Sequence, residues 1–128
     1  MRIMAPGLSA LLMVAQTSTA QREVAPRALT TKEIRKLLPG SYVQEIVPAG
    51  LQDLSTPETF RTDGLHIEYA DNREIEGRYT IDRALVCVKD EVGRKYCRFM
   101  LVDNGGQYYF KGVAPPATKL IPIKIIPK

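Results

Sequence analysis

The feature that most constrains this chain is a series of short alternating segments, separated by turn residues, between positions 58 and 112. Apolar and polar residues alternate within each segment, which is typical of half-buried strands. Asp63-Gly64 and Asn104-Gly105 favour two-residue hairpin turns. The pattern predicts an all-β fold with one short N-terminal helix. Its core is an antiparallel meander of about seven strands, forming a small barrel or a sandwich.

The short helix is predicted just before the first strand. Thr30 and Glu33 have the spacing of a capping box, and Pro39-Gly40 ends the helix. One helical face is apolar and consists of Ile34, Leu37 and Leu38. A helix this short is not stable alone, so this face must dock on the sheet.

The N-terminus predicts export. Residues 1–20 have the order of a signal peptide: a positive start at Arg2, a mostly apolar stretch, and small residues before a cleavage site near Ala20-Gln21. Residues 21–29 lack periodicity and predict a flexible arm. Residues 30–128 then form a single β-rich domain with a Pro/Ile-rich C-terminal tail. The expected location is the periplasm or the exterior of the cell.

The two cysteines, Cys87 and Cys97, are predicted to pair. They fall opposite each other across one hairpin, and an exported protein meets oxidising conditions. A redox-active pair would need a low-pKa thiol, usually in a Cys-x-x-Cys arrangement, and that arrangement is absent. A structural disulfide is therefore expected.

The hairpin registers assign residues to faces. With a turn over Ala70 to Arg73 that places Tyr69 opposite Ile75, Glu68 falls opposite Glu76 and His66 opposite Arg78, all on a charged outward face. Two facing carboxylates could act as acid and base, or they could lie on a solvated surface. His66 is expected at the surface. The inward face is expected to carry Tyr79, Ile81, Leu85, Cys87, Cys97, Phe99, Leu101, Tyr108 and Phe110.

The opposite face of the last strands predicts an outward apolar patch for binding a partner. Its residues are Val86, Val88, Tyr96, Arg98, Met100 and Tyr109. Aromatic residues, Met and Arg are typical of protein interfaces. In the alternative, the helix or the Ile-rich tail covers the patch. Pro122 and Pro127 make that tail an edge strand at best, and a free tail could add a strand to a partner's sheet.

Composition excludes several functional classes. The chain has 18 basic and 14 acidic residues, a net charge of +4, which is too mild for a dedicated nucleic-acid binder. One His and two Cys exclude a zinc site built from several of these residues. The chain contains no Gly-rich phosphate loop and no nucleophile elbow. No cofactor, metal, nucleic acid or membrane span is expected.

The hairpin region resembles a known type of protein. The residues concerned are 77–81 (GRYTI), 86–88 (VCV), 93–98 (GRKYCR) and 105–108 (GGQY). Their glycine, aromatic and cysteine positions resemble small exported single-disulfide bacterial β-barrel proteins, such as periplasmic hydrolase inhibitors and lipocalin-like carriers. The resemblance implies a barrel that binds another molecule, and it assigns no site residues.

The sequence therefore predicts a non-enzymatic exported binding protein, an inhibitor or accessory factor whose partner is another envelope protein. One alternative is a lipocalin-like carrier that holds a small apolar ligand in an interior lined by Tyr69, Tyr79, Phe99 and Phe110. The other alternative is a small hydrolase that uses Glu68 and Glu76.

Overall fold

The computed structural model describes residues 26–51, 56–113 and 119–128. The predicted signal peptide, 1–20, lies outside the described residues, as do residues 21–25 of the predicted arm. The described end of that arm contains a two-residue strand, which shows that the arm is paired to the domain from Arg27 onward.

The described part of the chain contains one helix and nine strands. They are β1 (Arg27–Ala28), α1 (Thr31–Leu37), β2 (Ser41–Glu45), β3 (Glu58–Phe60), β4 (Leu65–Ala70), β5 (Arg73–Asp82), β6 (Leu85–Asp90), β7 (Lys95–Val102), β8 (Tyr108–Gly112) and β9 (Ile121–Pro127).

Eight of these strands, β2 to β9, form a closed antiparallel barrel. Each strand from β2 to β8 pairs with the next along the chain, and β9 closes the barrel by pairing with β2. The short β1 is an extra strand that continues the edge of β7 where β6 ends. The predicted all-β fold is confirmed, and it is a barrel, not a sandwich.

The C-terminal tail is part of the barrel wall. The prediction of an edge strand is wrong, because β9 pairs with β2 on one side and with β8 on the other. Pro122 lies opposite Tyr109, and its carbonyl accepts a hydrogen bond from the backbone N–H of Ile46 at 2.9 Å. Both prolines of β9 lie at or next to its ends, where the missing N–H donor disturbs the ladder least. The tail is thus not free to join a partner's sheet.

The helix closes one end of the barrel, and its prediction is confirmed. Thr30 and Glu33 form a reciprocal capping box, and Leu38 is the C-cap. Ile34 and Leu38 are fully buried in the main hydrophobic core. The Thr31 hydroxyl accepts a hydrogen bond from the Ala84 N–H at the β5–β6 turn, which fixes the helix over that end.

Two hairpin loops are one residue longer than predicted. In β3–β4, Phe60 pairs with His66, and Gly64 has a φ of +91°. In β7–β8, Met100 pairs with Phe110, and Gly106 has a φ of +87°. Each glycine occupies the third loop position in the left-handed region, the arrangement of a three-residue hairpin loop. The two-residue turns predicted at Asp63-Gly64 and Asn104-Gly105 are therefore wrong.

The β4–β5 and β5–β6 connections are also shifted by one residue. Asp71-Asn72 and Arg83-Ala84 form two-residue turns with positive φ at both positions, as type I′ turns require. As a result Glu68 pairs with Ile75, and Ile81 pairs with Val86. A slip of one residue moves every side chain of a strand to the other face.

The β6–β7 register is the one predicted correctly, with Cys87 directly opposite Cys97. The two residues form a disulfide, as expected, with their Cα atoms 4.0 Å apart. This pair lies on the outer wall of the barrel, however, and not on the core face to which it was assigned.

Candidate functional site

The predicted partner-binding patch is mostly inside the barrel. Val86, Val88 and Met100 are at most 1% exposed, and Tyr96 and Arg98 lie on the same inward side. Tyr109 alone points outward, where its hydroxyl donates a hydrogen bond to Asp103 Oδ2 at 2.8 Å. The prediction that the first five residues share one face is correct, but that face points into the barrel and not outward. The error arose because both faces of β6 and β7 are apolar. The alternative that α1 covers them is correct: Ile34 and Leu38 belong to the same core cluster.

The outward apolar surface is instead formed by the opposite face of the same strands. We call it the outer strip: Leu85, Cys87, Cys97, Phe99, Leu101 and Tyr109. All six residues are half-buried by their neighbours in the wall. The Cys87–Cys97 disulfide joins β6 to β7 within the strip, and Leu101 pairs with Tyr109 across β7 and β8. The barrel therefore presents a continuous apolar surface across three adjacent strands.

The most unusual feature of the interior is a buried ion cluster, which consists of Glu58, His66 and Arg98. The Arg98 guanidinium donates two hydrogen bonds to the Glu58 carboxylate, at 2.9 and 2.6 Å. His66 Nε2 lies 2.7 Å from Glu58 Oε1, and the His66 side chain is only 1% exposed. Glu58, on β3, is thus held by side chains from β4 and β7, so the cluster ties opposite parts of the barrel together.

Arginine and aromatic side chains alternate from this cluster toward the end of the barrel opposite α1. Arg98 Cζ lies 4.0 Å from the ring centroid of Phe110 and 5.2 Å from that of Tyr96. Arg94 Cζ lies 5.8 Å from the centroid of the same Tyr96 ring. Cations over aromatic rings are stabilised by the ring quadrupole, more so where water is excluded.

Arg94 forms a second charged group at that end. Its Nε donates to Asp90 Oδ2 at 2.7 Å, and its Nη2 donates to Glu68 Oε1. Asp90 and Glu68 both lie on inward positions of their strands. Glu58, Glu68 and Asp90 are therefore each paired with an arginine.

The ion cluster controls the protonation of Glu58. Burial by itself would raise the pKa of Glu58, but the charge of Arg98 and hydrogen bonds from Arg98 and His66 outweigh it, and the pKa is lowered to about 2. The reciprocal attraction of Glu58 raises the pKa of Arg98 despite its burial. Burial raises the pKa of Tyr96 to about 12. Glu58 and Arg98 are thus a permanent ion pair at neutral pH.

Acid is expected to destabilise the barrel through Glu58. Its pKa is lowered from 4.5 to about 2 on folding, so its contribution is complete above pH 4.5 and is lost as the pH falls toward 2. We expect the free energy of unfolding, from urea titrations at several pH values, to fall over that window. Glu58→Gln should flatten this slope and exposed Glu74→Gln should not. An unchanged slope in Glu58→Gln would contradict the assignment.

The predicted carboxylate pair does not form. Glu76 pairs with Ile67 and faces outward, whereas Glu68 faces inward and pairs with Ile75. The two carboxylates lie on opposite sides of the wall, because the β4–β5 register differs by one residue from the prediction. His66 pairs with Gly77, not Arg78, and it is buried, not at the surface.

The aromatic residues expected to line a carrier's empty interior are also rearranged. Phe60, Tyr79 and Phe110 are inside, and the Phe60 ring centroid lies 5.1 Å from that of Tyr79 and 6.5 Å from that of Phe110. Tyr69 and Phe99 are on the outer wall. The inward aromatic rings therefore contact one another and form part of the core.

Sequence reasoning did not identify Glu58. One signal was available for its partner: Arg98 interrupts a run of strand-forming residues, whereas Glu58 directly follows Pro57 and gives no such signal. A charge in such a position is rarely buried unless it is paired with an opposite charge. The pairing itself requires β3 and β7 to face each other across the barrel, which is a property of the closed fold.

Comparison with known proteins assigns no family. No protein-family model matches the chain, and neither the curated proteins nor the solved structures give a match. Among residues 26–51, 56–113 and 119–128, no helix is long and apolar enough to cross a membrane. In the same described ranges, no three His, Cys, Asp or Glu side chains are arranged to hold a metal ion. What is shown is a small antiparallel β-barrel with one disulfide.

Proposed function

We propose that this chain is an exported, non-enzymatic binding protein that docks another envelope protein on the outer strip. The observation that carries the proposal is the continuity of that strip over β6, β7 and β8. Contiguous apolar surface on a soluble barrel is typical of interaction sites. Export rests on the sequence of residues 1–20 and is consistent with the disulfide.

The architecture makes the outer strip a rigid surface, which suits it to binding a partner. The strip lies on hydrogen-bonded strands, and the disulfide joins two of them covalently. A preorganised surface loses little conformational freedom when it binds. The partner decides the finer role: a hydrolase would make the protein an inhibitor, and any other envelope protein would make it an accessory factor.

Photocrosslinking from Phe99 is the test. We expect a photoreactive phenylalanine analogue at Phe99 to capture one envelope protein in cells, because Phe99 lies at the centre of the outer strip. The same analogue at Ile67, an outward apolar residue of β4, is the matched control. With the purified partner, Leu101→Gln should weaken binding by roughly tenfold, a loss typical of a buried interface residue.

Two results would contradict the proposal. One is capture of the same proteins from Phe99 and Ile67, since this would show non-specific contact. The other is a purified partner whose affinity does not change in Leu101→Gln. Competition by unlabelled wild-type protein separates specific capture from random collision.

A further inference from the structure

We infer that the segment received by the outer strip is an acidic and apolar segment of the partner protein. This inference rests on the proposed function, since it specifies the chemistry of the partner at the same surface. The observations that carry it concern the charges around the strip.

The outward positions of β6 to β9 hold lysines and no carboxylate. We call these residues the lysine border: Lys89, Lys95, Lys111 and Lys124. Lys89 and Lys95 lie next to the disulfide along their strands, and Lys111 is directly opposite Phe99. The apolar strip is therefore flanked by positive charge on the wall that it shares with these lysines.

The carboxylate within β6 to β9 points the other way. Asp90 on β6 lies inside the barrel, where it forms a salt bridge with Arg94. Because Asp90 points inward, its charge does not offset the lysines outside. The outward carboxylates Glu74, Glu76 and Asp82 belong to β5, so the excess of positive charge is confined to the outer faces of β6 to β9.

Three cations stand in a row on this wall, at directly opposed positions. Arg78 pairs with Lys89, and Lys89 pairs with Lys95. Like charges at facing positions of an antiparallel pair destabilise the sheet. The nearest outward carboxylates are those of Glu76 and Glu91, and the Glu91 carboxylate accepts a hydrogen bond from the Glu76 backbone N–H. No salt bridge joins a lysine of the border to any described residue.

An acidic segment with apolar side chains complements both features. Its carboxylates would offset the repulsion in the row, and its apolar side chains would cover the strip. Complementary charge around an apolar centre raises the association rate and selects the partner. The strip residues are half-buried within the barrel wall, which suits contact with a protein segment more than insertion into lipid.

Binding to defined polymers tests this chemistry with the purified protein. The probes are a random copolymer of glutamate and tyrosine, poly-glutamate, a copolymer of lysine and tyrosine, and vesicles of phosphatidylglycerol or phosphatidylcholine. We expect the glutamate–tyrosine copolymer to bind most tightly and the lysine–tyrosine copolymer not to bind. Raising salt from about 50 mM to about 500 mM should weaken the binding, because it screens exposed charges.

Charge-reversal variants test whether the polymer binds at the lysine border. Lys89→Glu with Lys95→Glu should weaken copolymer binding by roughly tenfold or more. Lys32→Glu with Lys36→Glu, on the exposed face of α1, makes the same change in net charge and should leave binding nearly unchanged. Circular dichroism verifies that both variants are folded.

The inference is overturned if both double variants bind alike, if poly-glutamate binds as tightly as the glutamate–tyrosine copolymer, or if phosphatidylglycerol vesicles bind more tightly than either polymer. Its failure differs from failure of the proposed function. If Phe99 still captures its protein partner with Lys89 and Lys95 reversed, the docking surface stands and the acidic partner is rejected. If Phe99 captures nothing specific, the docking surface itself is rejected.

Discussion

Replacing Arg98 with methionine is expected to lower the free energy of unfolding by about 3–5 kcal/mol, the usual loss when one member of a buried ion pair is removed. Methionine keeps most of the apolar stem but removes the guanidinium that holds Glu58 by two hydrogen bonds. The Glu58 carboxylate would then remain buried with only His66 beside it. Urea unfolding at neutral pH measures the change.

Two further variants distinguish a lost ion pair from lost packing. Arg98→Met combined with Glu58→Gln should recover much of the stability, because no uncompensated charge remains inside the barrel. Arg61→Ala breaks an exposed salt bridge to Asp63 and should cost little. If Arg98→Met is as mild as Arg61→Ala, the interior ion cluster is not a major contributor to stability.

Arg98→Met should also change the acid response. Without the nearby positive charge, burial dominates and the pKa of Glu58 rises. The fall in stability on acidification should therefore begin at a higher pH than in the wild type. Acid unfolding followed by circular dichroism would show this shift of the midpoint.

Replacing Gly77 with alanine is expected to destabilise the barrel by about 2–3 kcal/mol, within the range for overpacked sites. A Cβ at this position would lie 2.7 Å from the Lys89 carbonyl oxygen and 2.9 Å from Asp90 Cα. Both atoms belong to the backbone of the neighbouring strand, so the clash is relieved only if β5 and β6 separate. Urea unfolding again gives the free energy.

Gly105→Ala is the matched control for this substitution. A Cβ there would contact only Asp103 Oδ1, at an ordinary 3.5 Å. We expect its unfolding midpoint to remain close to that of the wild type. Equal losses at the two glycines would indicate a general effect of removing glycine from this fold, and not the close approach of β5 and β6.

The helix and the disulfide were predictable because their determinants are local. The capping box needs only Thr30 and Glu33 at the right spacing, and Pro39-Gly40 ends the helix nearby. The Cys87–Cys97 hairpin turns over Gly93, which has a φ of +93°. In both cases the residues that determine the structure lie close together in the sequence.

The registers of the other hairpins were not predictable from their turn residues alone. Asp63-Gly64 fits a two-residue turn, but the glycine can equally serve as the left-handed residue of a three-residue loop, as it does here. Each strand of the barrel must form hydrogen-bonded ladders with two neighbouring strands at once, and this requirement decides between the two loop lengths. One residue of difference exchanged the inside and outside of β6 and β7, and with them the proposed interface.

By itself, the sequence determined which segments form strands, where the helix begins and ends, and which cysteines bond, because short-range spacing and backbone preference suffice for these. Only closure of the barrel decided which face of each strand is inside. Closure also brought Glu58, His66 and Arg98 together from three strands and left the outer strip beside its lysines. Residues far apart in the chain become neighbours only when all strand registers are satisfied together, and no local pattern contains that condition.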